Sequence, residues 1–435
     1  MNASSPTEAK LRWAPGWVLA FVALWPLPGP AEMVLSLGAV IALSVLAYHR
    51  FRDGITLLSH EAWALTTVLF FAYWLPELFS SFDAVDASRA LKESLVDLRY
   101  LPFLWLVAIA VGGERGRRLT FIGIAAIAAA WTLDALVQAA TGWSLGGAAT
   151  ADRLSGIFGA GNLKLGLVLA SLAPFPLLVA SRRFGLAGWT LAAVAIGVVV
   201  LLAGARAGWV AYGVALLVSG WQQFGVKRAA LVFGAGGVLA LLLGLAAAFS
   251  DKLCAPEAGV CRALDALQQR ITRTGSALAG DSEGLDHALS GRVWIWRTAI
   301  AMTAAHPLNG IGVRGFREAY REYAAPQDPW LVDEEHGAGY HAHQVVLEVL
   351  SETGLLGLFL WLTGVALAIR AWSTSPPAAR MRARAPALAL LVTVFPLNTH
   401  LAFYSTFWGG LTLLLAALYA GSLLATADDR GRVGR

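Results

Sequence analysis

"WTLAAVAIGVVVLLAGARAGWVAYGVALLVSGW", residues 189–221, decides the fold, because its only charged residue is Arg206. A helix crossing a bilayer needs roughly 20 apolar residues at 1.5 Å rise each. The run is therefore too long for one span, and "GARAG" is the place where it breaks. A β-barrel would alternate apolar and polar residues singly, whereas these residues run continuously apolar. Two membrane helices meeting at an arginine follow from this stretch alone.

The rest of the chain has the same character. Of 435 residues, 57% are hydrophobic and only 14% charged, against about 25% charged in soluble domains. This composition predicts an all-α, polytopic integral membrane protein. The length rule places spans near 14–28, 33–49, 62–79, 98–112, 119–138, 163–180, 186–204, 207–222, 229–249, 345–371, 386–402 and 406–425, which is about 12 transmembrane helices. The first is expected to be a retained span, since no small-x-small cleavage site follows it. The 17 tryptophans suit two interfacial belts.

Orientation follows from the placement of the basic residues. Every second connection is basic: "YHRFRDG", "GERGRR", "SRRFG", "QQFGVKR", "PPAARMRARA" and the tail "DDRGRVGR". The intervening connections are not, so both termini are expected on the cytoplasmic side. The net charge of +5 is thus a topology signal, and nucleic acid is not an expected partner. The division predicted is residues 1–249 as membrane helices, 250–344 as a large helical periplasmic domain, and 345–435 as the last helices and a cytoplasmic tail.

The 250–344 segment is too long and too patterned for a structureless loop. Cys254 and Cys261 open it, and two thiols so placed in an oxidising compartment are expected to form a disulfide. "SGRVWIWRTAIAMTAAHP" reads as a helix with Ser290 at its start and Pro307 after its end. It carries Arg292 and Arg297, with Trp294 and Trp296 between them. "NGIGVRGF" reads as a glycine-rich turn, with a phosphate-cradling loop as the competing reading. The cytoplasmic loops contain no P-loop and no acidic metal-binding motif, so neither ATP nor a nucleotide sugar is indicated as fuel.

Four pieces, "RLSGIFGAGNLKLG", "LLAGARAGWV", "SGRVWIWRTAIAMTAAHPLNGIGVRGF" and "HAHQVVLEVLSETGLLGL", occur in that order. Together they resemble the O-antigen ligase family, a superfamily that also holds O-antigen polymerases and protein O-oligosaccharyltransferases. The resemblance covers roughly residues 150–365. Gln344 stands where the family usually has asparagine after the histidine. The resemblance implies a glycosyltransferase of the bacterial inner membrane whose active site faces the periplasm, acting in lipopolysaccharide biosynthesis. Its donor would be a glycan on undecaprenyl diphosphate and its acceptor lipid A-core, with no cofactor and no metal.

On this reading the catalytic base is His343, which occupies the motif position, with His341 as the alternative imidazole. An imidazole can accept a proton near neutral pH, although an interfacial histidine that merely caps a helix is the competing view. Arg206 is expected to bind the donor diphosphate, because an intramembrane arginine usually has an anionic partner and a guanidinium can hold two oxygens. Arg292 and Arg153 are expected to add charge to that pocket, with Lys164, Asn162, Arg297 and Gln344 as further substrate contacts. Trp294, Trp296 and Trp330 read either as sugar-stacking or as belt residues. Glu348 reads as a residue that could orient an arginine, and Glu352 as structural. A transporter is the reading from a different class, since a helical bundle with buried charge suits it equally.

Overall fold

A computed structural model describes residues 11–149, 153–160, 162, 164–248, 291–331, 341–396 and 402–425, with only the backbone given for 231–248. Cys254, Cys261, His336 and His400 lie outside the described residues, so the expected disulfide does too. The structure is nearly all helix: α1 (Ala14–Ala23), α2 (Pro28–Arg52), α3 (His60–Ser80), α4 (Ala87–Asp97), α5 (Tyr100–Gly112), α6 (Glu114–Thr141), α7 (Leu165–Leu172), α8 (Pro174–Leu202), α9 (Arg206–Ala248), α10 (Arg292–Ala305), α11 (Phe316–Tyr323), α12 (Val345–Thr374), α13 (Pro377–Thr393) and α14 (Thr406–Leu423). One small hairpin, β1 (Trp143–Ser144) and β2 (Gly147–Ala148), pairs Trp143 with Ala148 and Ser144 with Gly147. Among the described residues, 7 helices are long and apolar enough to cross a membrane. The chain is therefore a multi-pass membrane protein, and the figure of about twelve spans stays an expectation.

The chain forms two compact units: residues 1–123, 297–390 and 401–435 in the first, and residues 124–296 and 391–400 in the second. In the first, α3 packs on α12 and α14, while α5 packs on α2 and α14. α14 is buried along almost its whole length, which suits its apolar sequence only at the centre of a bundle. Side chains fix the helix starts: Ser59 accepts from the Ala62 N–H, Asp86 from Arg89 and Ser405 from Trp408. In the second unit α7, α8 and α9 pack on one another.

The break expected at "GARAG" is present: α8 ends at Leu202, Gly204 takes a positive φ, and α9 begins at Arg206. "SRRFG" and "QQFGVKR", expected as loops, are sharp breaks at Gly185 and Gly225 inside otherwise helical runs. One expectation was wrong. "PPAARMRARA" is not a loop but the first half of α13. Alanine, arginine and methionine are strong helix formers, and Pro377 sits at the first position, where it has no N–H to lose. The span expected at 345–371 is present as α12, which is kinked at Gly354, where φ is 65° and ψ is −164°.

Candidate functional site

Each unit carries a cluster of polar residues. In the second, a buried glutamine in the last turn of a helix organises the chain that follows it. Gln138 on α6 is 1% exposed. Its Oε1 accepts from the N–H groups of Ser155 and Gly156, at 3.0 and 2.8 Å, and its Nε2 donates to Ser144 Oγ at 3.0 Å. The hairpin and the 153–156 segment are thereby tied to one side chain, and Leu154 N donates to Leu202 O where α8 ends. This anchors Arg153 near the α8–α9 break that begins with Arg206.

Arg292, the first residue of α10, completes the group. Burial first, and then the positive charges of Arg206 and Arg153, lower its guanidinium to about 10. The charges of Arg206 and Arg153 both act on it, so the three arginines stand close together, a grouping of the kind that binds a polyvalent anion. Lys164 directly precedes α7. Asn162 keeps its side-chain oxygen buried without a hydrogen-bond partner. Of the expected cationic ring, the structure thus joins Arg153, Arg206 and Arg292. Arg297 falls in the other unit and is exposed.

In the first unit the glycine-rich turn proves to be a plug. Leu355 N donates to Pro307 O, Leu356 N to Leu308 O, Ile311 N to Ser351 O and Gly312 N to Glu352 O, all at 2.8–3.2 Å. The segment 307–312 therefore supplies the backbone partners that the break at Gly354 leaves open. The approach is close enough to demand glycine. A Cβ on Gly354 would lie 2.2 Å from Leu308 O, and one on Gly310 would lie 2.3 Å from the Glu352 carbonyl carbon. The N–H groups of Ile311 and Gly312 are committed to α12, which overturns the phosphate-cradle reading of "NGIGVRGF".

Beyond the plug, Arg314 adopts φ 60°, rare for a residue with a side chain. Its N–H donates to Glu352 Oε2 at 2.9 Å, its Nε donates to Tyr404 O at 2.8 Å, and its two terminal nitrogens reach Glu93 and Asp97. Burial pulls this guanidinium down, but the charges of Asp97, Tyr73, Glu77 and Glu93 outweigh burial and hold it above its ordinary value. Arg314 thus fastens α4, α12 and the approach to α14 into one framework, with Glu352 in the structural role expected of it.

That framework walls a cavity of about 410 Å³, lined by His341, Arg314, Arg317, Glu348, Glu352 and Tyr404 among others. His341 and His343 flank the buried Ala342, with ring centroids 3.9 Å apart. His343 takes φ 52°, and it is His341 that stands on the cavity wall. Gln344 Oε1 accepts from Leu347 N at 2.6 Å, so that side chain caps α12. Glu348 takes the Tyr404 N–H rather than orienting an arginine. Trp330 donates its backbone N–H to Asp328 in a tight turn. Reasoning from sequence missed Gln138, Arg314 and the cavity itself. A lone glutamine inside an apolar run was the one visible signal.

Residues 191–362 match the O-antigen ligase family. Over 82 residues the chain is also 35% identical to the exopolysaccharide production protein ExoQ of Rhizobium meliloti (strain 1021), an alignment covering 18% of each chain. The matched part is thus about a fifth of that relative's length.

Proposed function

We propose, for a chain whose residues 191–362 match the O-antigen ligase family, a membrane glycosyltransferase that joins a polysaccharide to a second glycan. In the specific form favoured here, the donor is a polysaccharide on undecaprenyl diphosphate and the acceptor is lipid A-core. The reaction would occur at the periplasmic face of the inner membrane. The observation that carries this reading is the gathering of Arg153, Arg206 and Arg292, a cationic group of the kind that a diphosphate binds.

The chemistry is a single displacement. An acceptor hydroxyl oxygen bonds to the anomeric carbon, the bond from that carbon to the phosphate oxygen breaks, and its electron pair leaves with the diphosphate. One displacement inverts the configuration. The arginines stabilise the departing charge, and the hydroxyl proton passes to the His341–His343 pair, a general-base contribution typically worth about 10²–10⁴-fold. The motif position favours His343, and the cavity wall favours His341. The glycosyl–phosphate bond supplies the driving force, so no ATP is consumed.

The second reading is polymerisation, in which the acceptor is another lipid-diphosphate-linked glycan. The ExoQ similarity favours it, since that relative's name refers to exopolysaccharide production. The test is a reconstituted assay with undecaprenyl-diphosphate glycan and lipid A-core, with EDTA present and ATP omitted. A mass increase of lipid A-core supports the ligase, and longer glycans on the carrier support the polymerase. Loss of product in His343→Ala or in His341→Ala identifies the base. If neither product forms from folded protein, a protein acceptor is tried next. If glycans cross the membrane covalently unchanged, the protein is a transporter.

A further inference from the structure

Near the three arginines, one uncharged side chain has a part that the chemistry above does not name. Gln138 stands in the last turn of α6 and is 1% exposed. Its Oε1 accepts from the consecutive N–H groups of Ser155 and Gly156, at 3.0 and 2.8 Å. Its Nε2 donates to Ser144 Oγ at 3.0 Å, with Gly147 O and Ser155 Oγ both at 3.4 Å. One amide therefore joins two pieces of chain. Its donor side holds the hairpin, and its acceptor side holds the residues that follow Arg153.

Other contacts draw the same two pieces together. Ser144 Oγ donates to Gly156 O at 3.0 Å. A Cβ on Gly146 would lie 2.2 Å from Gly156 O, so the hairpin and this segment pack backbone against backbone. Asp134, one turn before Gln138 on the same face of α6, accepts the Leu145 N–H at 2.8 Å. On the far side, Leu154 N donates to Leu202 O at 3.2 Å, at the end of α8. The backbone N–H groups of Leu154, Ser155 and Gly156 are thus all fixed, the last two by Gln138. Holding the chain beside Arg153 in advance leaves less freedom to be lost when its guanidinium meets an anion.

We infer that Gln138 is a positioning residue of the diphosphate pocket, holding Arg153 where its charge joins those of Arg206 and Arg292. This deepens the diphosphate reading and rests on it. Gln138 touches no substrate in this scheme and acts through Arg153. The amide is needed in kind, because it must accept on one side and donate on the other. Methionine has a similar length but offers the Ser155 and Gly156 N–H groups no oxygen.

The test is calorimetric binding of inorganic pyrophosphate to the full-length protein, below the thermal midpoint of every variant used. Wild type, Gln138→Met, Arg153→Ala and the double variant form one cycle. Gln138→Met should weaken binding roughly 10-fold or more, since misplacing a positioning group by about 1 Å can cost about 10²-fold. With Arg153 already replaced, the same change should cost no more than about 2-fold, because residues that act through one another are not additive. Ser144→Ala cuts only the hairpin end of the network and stands in if Gln138→Met does not fold. It should give a smaller loss with the same dependence on Arg153. The proposal is overturned if the folded variant binds pyrophosphate as wild type does. It is equally overturned if the loss is the same with and without Arg153, which marks a merely structural role. A wild type that does not bind pyrophosphate removes the diphosphate pocket and this role with it. Coupled binding in a protein that transfers no glycan keeps Gln138 in place and sinks the transferase reading alone.

Discussion

At the scale of single residues, the arginine trio is the most exposed to experiment. A guanidinium lowered to about 10 by burial, Arg206 and Arg153 binds fewer protons folded than unfolded above that pH. Keeping it charged therefore opposes folding at neutral pH, and the penalty fades as pH rises through about 10. Inorganic pyrophosphate should relieve the same penalty, raising the wild-type thermal midpoint but not that of Arg292→Ala. Calorimetric binding of pyrophosphate should weaken above a pH of about 10, as Arg292 gives up its proton. Arg314 behaves oppositely, because its charge is compensated by Glu93 and Asp97. Arg314→Met breaks that network and should destabilise the protein by about 3–5 kcal/mol, read by denaturant titration in detergent. Arg206 was conspicuous in the sequence as an arginine among apolar residues, whereas Arg153 and Arg292 were named from the family resemblance. Arg314 was invisible because its partners Glu93 and Tyr404 stand 221 and 90 residues away.

At the scale of elements, the break in α12 organises the first unit. Gly354 occupies backbone space open essentially to glycine alone, which costs other residues about 1–3 kcal/mol, and Leu308 O fills the place of its Cβ. Gly354→Ala and Gly310→Ala should each lower the thermal midpoint by several degrees. Gly29→Ala on α2, where a Cβ meets nothing within 4 Å, should leave it unchanged or raise it slightly. Equal effects at all three positions would remove the plug from this account. Hydropathy saw an unbroken apolar run at 345–371, since a glycine break costs nothing on such a scale. It read "SRRFG" and "QQFGVKR" correctly because charge and glycine coincide there. It misread "PPAARMRARA" because charge suggested a loop where helix propensity prevailed.

At the scale of the whole molecule, the alternation of basic and non-basic connections predicts which loops share a side. With Cys254 and Cys261 replaced by serine, Leu145→Cys at the hairpin and Phe184→Cys in "SRRFG" are both exposed probes. A membrane-impermeant thiol reagent on right-side-out vesicles should label the first and spare the second, and the reverse pattern would invert the topology. The sequence by itself determined the helical membrane class and the break at "GARAG", and it singled out the three arginines and the histidine pair as candidates. Each is a local signal: a length of apolar chain, a glycine beside a charge, or a motif within a few residues. The tertiary structure alone decided that the 307–312 segment closes a broken helix, that Arg314 binds three elements together, and that Glu348 shares a cavity with His341. Those facts depend on hydrogen bonds between residues distant in the chain, which follow from packing and leave no periodic trace in the sequence.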